Sequence, residues 1–201
     1  MQSERAQALP FPAQPRGVVP SDAECTRLWD EYKLPEHIRE HSRQVADVAG
    51  QLADLAHQQG LPVDKQLLRA AALLHDLGKA YALRYEGDHC QLGAAWVMDL
   101  TGNPALAQAV MHHVSWPGAI DPDRHPIPII LVYSDKRVKH DRIVSLEERY
   151  RDLLERYGLD APSRAAIEQS QAEVKAIEKA LSERLKVDLH AYPFARRRLV
   201  R

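Results

Sequence analysis

The stretch that decides the fold is LLRAAALLHDLGK, residues 67–79, in which an apolar segment ends at a histidine and an aspartate. Leucine and alanine fill almost every position from Leu67 to Leu74, which predicts a helix buried in the core. His75 and Asp76 follow at once, and burial of such groups is costly unless they are paired or bind a metal ion. The sequence therefore indicates a metal site at the end of a core helix.

Length and composition predict one globular domain. The chain has 201 residues, of which 45% are hydrophobic and 27% charged, and this is enough for one substantial core. The formal net charge of -1 gives no global field that would attract polyanions, and the basic segment 195–201 is expected to be a solvated terminus. We expect a Pro-rich flexible lead over residues 1–20 and a single all-helical domain over residues 21–201, with C-terminal helices within 145–190.

Cysteine content and hydropathy bear on the compartment. Cys25 and Cys90 are the two cysteines and lie far apart in sequence, which argues against a disulfide framework and favours a reducing compartment. The chain shows neither the apolar run of a signal peptide nor a segment that could span a bilayer. We therefore expect a cytoplasmic protein without a membrane role.

Caps and apolar spacing predict a series of helices. Ser21 and Glu24 form a capping-box pattern, and Asn103 with Pro104 is typical of a helix start. The apolar run 129–132 fits a buried strand as well, but we favour a helix in this all-helical setting. Helices are expected at residues 21–34, 35–60, 63–76, 93–100 and 103–113, around 129–135, and from 145 and 162 onward. The Pro-rich segment 116–128 is expected to be a loop that covers a binding site.

Other histidines and an aspartate supply further metal-ligand types, namely His41, His89, the doublet at 112–113 and Asp135. His37 shares a helix face with His41, and either could point inward, although the apolar pattern that follows favours His41. Successive helical side chains diverge by about 100°, so only one histidine of the doublet can face the site.

The pieces that carry these residues occur in a characteristic order. They are HSRQVA at 41–46, LHDLGK at 74–79, HCQLGA at 89–94, VMHH at 110–113 and SDK at 134–136. In this order they resemble the HD-domain metal-dependent phosphohydrolase superfamily, in the version whose extra histidines support two metal ions. The resemblance spans residues 35–139. It implies an all-α HD-domain helical bundle.

The resemblance also implies roles for individual residues. One ion would be held by His41, His75, Asp76 and Asp135, and Asp76 would bridge to a second ion held by His89 and His112. His113 would then contact substrate or support a ligand, unless the two histidines of the doublet exchange roles. Asp76 and Lys79 would act in catalysis, and Arg43 and Lys79 would reach a phosphate of the substrate.

Two divalent cations are the cofactors that this ligand set predicts. Mixed imidazole and carboxylate ligation favours iron or manganese, with zinc or magnesium as alternatives. A bridging carboxylate and a water activated between two ions suit in-line attack on phosphorus.

The predicted function is therefore a metal-dependent phosphohydrolase that acts on a nucleotide or another small phosphoester. We expect no nucleic-acid polymer as partner. The ligand order is similar to HD hydrolases of the bacterial diadenosine tetraphosphatase type, whereas the Gly-Tyr-Pro signature of the cyclic-dinucleotide phosphodiesterases is missing. A di-iron oxygenase of the same superfamily and a non-catalytic nucleotide-binding module are the alternatives. The sequence leaves the oligomeric state open.

Overall fold

The computed structural model describes residues 17–195, and within that range the chain folds as helices with one short hairpin. The predicted all-α class is confirmed. The helices are α1 (Asp22–Glu31), α2 (Glu36–Gln58), α3 (Lys65–Leu74), α4 (Lys79–Tyr85), α5 (His89–Thr101), α6 (Pro104–Met111), α7 (Pro126–Lys136), α8 (Leu146–Tyr157) and α9 (Ala161–Leu185). The hairpin between α7 and α8 consists of β1 (Val138–Lys139) and β2 (Arg142–Ile143).

Two of the terminal predictions fall mainly outside the described residues. These are the flexible lead, of which 17–20 are described, and the basic tail, of which residue 195 is described. Within the lead, the backbone N–H of Val18 donates to the carbonyl of Thr101 at 2.8 Å, which ties this segment to the end of α5. Among the described residues, none of the helices combines the length and apolar composition that crossing a membrane requires.

Polar residues fix the starts of the helices. Ser21 caps α1 through the predicted capping box, in which its hydroxyl accepts from the Glu24 N–H and the Glu24 carboxylate accepts from the Ser21 N–H. This prediction is confirmed. Asn103 caps α6 by accepting from two backbone N–H groups of the first turn. These bonds satisfy donors that a helix start leaves without partners.

Helices α2 and α7 form the centre of the bundle. α2 packs against α3 and α7, and Val45, Val48 and Leu52 lie on its buried face. α7 is buried continuously over residues 128–136, because it contacts α2, α3, α6 and α9. This burial explains why the run 129–132 is apolar on every side without being a strand. The preference for a helix in this segment is confirmed.

The structure adds elements that the sequence pattern did not predict. α4 buries none of its residues, so it lacks the apolar spacing by which a helix is detected. The strands of the hairpin are two residues each, and His140 in its turn has a φ of 55°. α5 begins at His89, earlier than predicted, because the Asp88 carboxylate accepts from the Cys90 and Gln91 N–H groups.

Two glycines bring the turn after α3 against α5. A Cβ atom at Gly78 would lie 2.5 Å from the His89 carbonyl oxygen and 2.8 Å from the Gly93 nitrogen. A Cβ atom at Gly93 would in turn lie 3.4 Å from the Gly78 nitrogen. A side chain at position 78 would prevent this approach, which places Asp76 beside the first turn of α5.

Candidate metal centre

Six side chains that can bind a metal ion, together with Cys90, converge where the ends of several helices meet. They form three overlapping groups in which the candidate ligand atoms of each group lie within 4.8 Å of one another: His41, His75 and Asp135; His75, Asp76 and His113; and His89, Cys90 and His113. We call the first group the inner site and the last group the outer site. The sequence elements that supply them are separated by up to 94 residues, so only the fold brings them together.

The inner site is buried between α2, α3 and α7. The Nε2 atom of His41 lies 2.9 Å from Oδ1 of Asp135, and the Nε2 atom of His75 lies 3.8 Å from the same oxygen. His75 has no solvent exposure, and Asp135 is 5% exposed. An ion in this site would therefore be shielded from water on most sides.

Asp76 lies between the two sites, with one carboxylate oxygen toward each. Its Oδ2 atom is 3.5 Å from Nε2 of His75 in the inner site. Its Oδ1 atom is 3.5 Å from Nε2 of His89 and 3.6 Å from Nε2 of His113 in the outer site. A carboxylate placed in this way has the geometry of a bridging ligand.

Backbone carbonyls orient three of the imidazole rings. In each ring Nδ1 donates to a carbonyl oxygen: His41 to His140 at 3.0 Å, His75 to Ala72 at 2.8 Å and His113 to Val110 at 2.7 Å. Because a carbonyl can only accept, each of these Nδ1 atoms carries a proton, and Nε2 is the ring atom that faces the acids. Histidines that bind metals typically make this second hydrogen bond.

His75 provides the observation that tests whether a metal ion fits. Its Nε2 atom is buried and has no hydrogen-bond partner. Burial lowers the pKa of His75 to about 3, more than the neighbouring carboxylates raise it, so the ring is neutral at pH 7. A buried lone pair that faces two carboxylates is unfavourable without a cation between them. The residues present therefore fit a divalent ion.

Lysines balance the charge of the two aspartates. Burial would raise the pKa of Asp135, but the adjacent Lys136 ammonium and the His41 ring hold it well below its usual range. Burial would likewise raise the pKa of Asp76, but His75, His113 and Lys79 outweigh that effect. The Lys79 ammonium lies 3.0 Å from Oδ2 of Asp76. Both carboxylates are therefore ionised at neutral pH, as metal ligands must be.

The outer site contains a thiol to which the sequence analysis assigned no role. The Sγ atom of Cys90 lies 3.7 Å from Nε2 of His89. Burial raises the pKa of the Cys90 thiol, but hydrogen bonds with His113 and His89 lower it more, to about 7. Burial also lowers the pKa of His113, yet Asp76 and Cys90 raise it to about 10. The one signal in the sequence was the position of Cys90 directly after His89.

The structure brings His113 to the cluster and leaves His112 outside it. His113 is 1% exposed, with Nε2 3.3 Å from Nε2 of His89. His112 is the C-cap residue that follows α6, and its half-buried ring meets the Trp116 ring edge-on at 5.9 Å between centroids. The observed geometry thus matches the alternative in which the two histidines of the doublet exchange roles, with His113 rather than His112 among the candidate ligands.

Other predicted site residues are placed as follows. His37 is exposed, whereas His41, on the same helix, is buried at the inner site. Arg43 does not reach the cluster: its guanidinium pairs with Glu36 at 2.7 Å and lies over the Trp29 ring. Two residues along a helix correspond to a rotation of about 200°, which turns Arg43 away from the face that carries His41.

The fold and the cluster of histidines and aspartates define a class of protein. Residues 38–160 match the family model described as HD domain, and the chain belongs to this family. The matched range includes every residue of the inner and outer sites.

Particular relatives match a shorter part of the chain. Ribonuclease Y of Campylobacter hominis is 40% identical over 73 residues, which is 36% of this chain and 13% of the relative. Ribonuclease Y of Thermus thermophilus is 33% identical over 87 residues, and that of Enterococcus faecalis 36% identical over 78 residues. These matches cover 43% and 39% of this chain and 14% of each relative, so the chain is similar to only a small part of those proteins. No solved structure matches it significantly.

Proposed function

We propose that the protein is a phosphohydrolase that uses two divalent metal ions to cleave a nucleotide or another small phosphoester. Membership of the HD-domain family supports a metal-dependent hydrolase in general. The single observation that carries the proposal is the position of Asp76. Its two oxygens face separate sets of imidazole Nε2 atoms, at 3.5 Å on the inner side and 3.5 and 3.6 Å on the outer side.

Separate sets of residues would hold the two ions. Bound ions would supply Lewis-acid activation of phosphoryl oxygens and a hydroxide nucleophile near neutral pH. His41, His75 and Asp135 would hold the inner ion, His89 and His113 the outer ion, and Asp76 both. The backbone carbonyls bound to the Nδ1 atoms keep the rings fixed, so that the ligands need little reorganisation.

Lys79 is the side chain best placed to neutralise a phosphate. Its ammonium contacts both oxygens of Asp76, and its side chain is 39% exposed, so the ammonium can reach solvent and the site. Burial lowers the pKa of Lys79, but Asp76 raises it more, and the group is therefore charged at neutral pH. A cation at this position would stabilise charge that develops on a leaving phosphate.

A cleft beside the outer site is the proposed entrance for substrate. Its volume is about 460 Å³, and its lining includes His89, Cys90 and Met111. This is within the range of about 300–1,000 Å³ that small-molecule sites occupy. Asp88 also lines the cleft, where its carboxylate caps the start of α5. Iron or manganese is the proposed metal, because the inner ligands are imidazoles and carboxylates.

Cleavage of RNA is the second candidate function, and the relatives favour it. The matched proteins are named Ribonuclease Y, and the matched segments include part of the HD domain. The sequence analysis expected no nucleic-acid polymer, so the two candidates make opposite predictions about the substrate. Both require the same metal centre.

A substrate panel separates these candidates. The full chain, stripped with a chelator and reloaded with Mn²⁺ or Fe²⁺, is assayed against a phosphomonoester, a dinucleoside polyphosphate and a short single-stranded RNA. Metal-dependent release of phosphate or of nucleotides supports the first candidate, and shortening of the RNA supports the second. Substrate binding without turnover across the panel would contradict both and indicate a non-catalytic module. Consumption of dioxygen by the iron-loaded protein would indicate an oxygenase.

A further inference from the structure

The candidate donor atoms of the outer site are spaced as the ligands of a single metal ion would be. Nε2 of His89 and Nε2 of His113 are 3.3 Å apart, and Sγ of Cys90 is 3.7 Å from Nε2 of His89. Oδ1 of Asp76 is 3.5 and 3.6 Å from the same two nitrogens. Sγ and the two Nε2 atoms thus lie within 4.8 Å of one another, and Oδ1 lies next to both nitrogens.

A tetrahedral ion requires nearly these separations. With metal–nitrogen bonds of about 2.0–2.1 Å and a metal–sulfur bond of about 2.3 Å, two nitrogens are about 3.3 Å apart and nitrogen and sulfur about 3.6 Å apart. The observed distances of 3.3 and 3.7 Å agree with both values.

The other cysteine shows what a purely structural thiol looks like in this fold. Cys25 lies in α1 with no solvent exposure and belongs to the hydrophobic core. Burial, which is not offset there by imidazoles, raises its pKa to about 12. Cys90 instead begins α5 beside His89 and lines the cleft. The Asp88 cap holds the Cys90 backbone N–H at 2.8 Å and so fixes the position of the thiol.

We infer that Cys90 binds, as a thiolate, the ion that His89 and His113 hold, with Asp76 as the fourth ligand. Binding transfers the thiol proton to solvent, and no electron is exchanged. The inference rests on the proposed function only in assuming a metal at the outer site. A thiolate ligand makes this site selective for ions with affinity for sulfur, such as Zn²⁺, Co²⁺ or Fe²⁺, over Mn²⁺ and Mg²⁺. The inner site, with nitrogen and oxygen ligands, lacks this selectivity.

Cobalt provides a direct test, because a cobalt–thiolate bond has a charge-transfer absorption in the near ultraviolet. The full chain is stripped with a chelator and titrated with Co²⁺, together with the variants Cys90→Ala and Cys25→Ala. We expect the absorption to grow up to about one equivalent per chain in the natural protein. It should be lost in Cys90→Ala and retained in Cys25→Ala, which is the matched control.

A competition measurement adds a readout that does not depend on colour. We expect Cys90→Ala to weaken Zn²⁺ binding at the outer site at least about 10-fold and to leave Mn²⁺ binding nearly unchanged. Equal weakening of both ions, or cobalt binding without the thiolate absorption in the natural protein, would overturn the inference. The same holds if the absorption persists in Cys90→Ala.

The failure of this inference can be told apart from the failure of the proposed function. Cobalt binding without the thiolate absorption removes Cys90 from the ligand set and leaves the phosphohydrolase proposal intact. Absence of any cobalt binding overturns both. Circular dichroism and thermal unfolding of the two variants show whether a lost signal comes from a lost fold.

Discussion

The inner and outer sites each contain two histidines, but Asp135 completes the inner group and Cys90 the outer group, and the two are built differently. His41 and Asp135 of the inner site project from the buried helices α2 and α7, which packing holds on several sides. His89 and Cys90 of the outer site begin α5, and His113 follows the end of α6. The inner site therefore depends on the core, whereas the outer site depends on caps and turns next to a cleft. An ion should exchange more readily from the outer site.

Asp76→Ala should have the largest effect, because this residue lies between the inner and outer sites and faces both. We expect the loss of both ions and a decrease in kcat/KM of at least about 10⁴-fold, since the bridging carboxylate positions the ions that activate the nucleophile. Elemental analysis and hydrolysis assays measure the two effects. Asp99→Ala, on the exposed side of α5, is the control and should leave both unchanged. A variant at Asp76 that keeps its metal and its activity would refute the two-metal assignment.

The histidine doublet tests the outer site alone. His113→Ala should remove about one ion per chain and lower kcat/KM about 10³-fold, because the inner ion then lacks its partner. His112→Ala should keep both ions and most of the activity, since this ring contacts Trp116 and not the cluster. Metal content per chain is the decisive measurement. The reverse outcome would restore the assignment made from sequence.

The difference between regular helices and the turns beside them explains which site residues could be predicted from the sequence. The choice of His41 follows from apolar spacing, because a regular helix fixes the direction of each side chain, and the burial of α7 follows from its continuous apolar run. The choice between His112 and His113 could not follow from such spacing. α6 ends at Met111, and His112 has φ -108° and ψ 17°, so neither histidine occupies a regular helical position.

Two further features of the metal centre could not be predicted from the sequence, each for a physical reason. The carbonyl of His140 that orients His41 belongs to a hairpin with two-residue strands, which leave no periodic signal. The nearness of Asp76 to His89 depends on the contact between Gly78 and α5. That contact joins segments whose relative position a one-dimensional pattern does not contain.

Lys136→Met should destabilise the protein more when the inner site is empty than when it holds an ion. Lys136 is 5% exposed and its ammonium pairs with the buried Asp135, so its removal leaves a carboxylate without that cation. We expect the metal-free protein to lose about 3 kcal/mol of unfolding free energy, and the loaded protein to lose less because the ion compensates. Urea unfolding with and without metal measures both. Lys179→Met, which removes an exposed pair with Glu183, should change stability by less than about 0.5 kcal/mol. Equal losses in both metal states would show that the ion does not contact Asp135.

Gly78→Ala should loosen the outer site while the inner ligands keep their helices. The added Cβ atom would meet the His89 carbonyl at 2.5 Å, and the backbone has to move by a few tenths of an ångström or more. We expect a loss of about 2 kcal/mol in unfolding free energy and weaker binding of the outer ion. Gly50→Ala in α2 is the matched control, because its Cβ atom meets nothing within 4 Å. That variant should gain about 0.5–1 kcal/mol from the helix preference of alanine. Unfolding curves of the two variants measure the change in stability, and metal titrations measure the binding of the outer ion.

Arg43→Ala should have the smallest effect, because Arg43 lies outside the metal centre. The guanidinium pairs with Glu36 on the surface and lies 5.1 Å from the centre of the Trp29 ring, so its removal should lower the unfolding free energy by less than about 1 kcal/mol. Because Arg43 points away from the face of α2 that carries His41, kcat and KM should stay within about 2-fold of the natural values. A large increase in KM with unchanged metal content would show instead that Arg43 swings to the substrate during turnover. The surface of α2 would then have to be counted as part of the site, and the inner site would no longer be closed on that side.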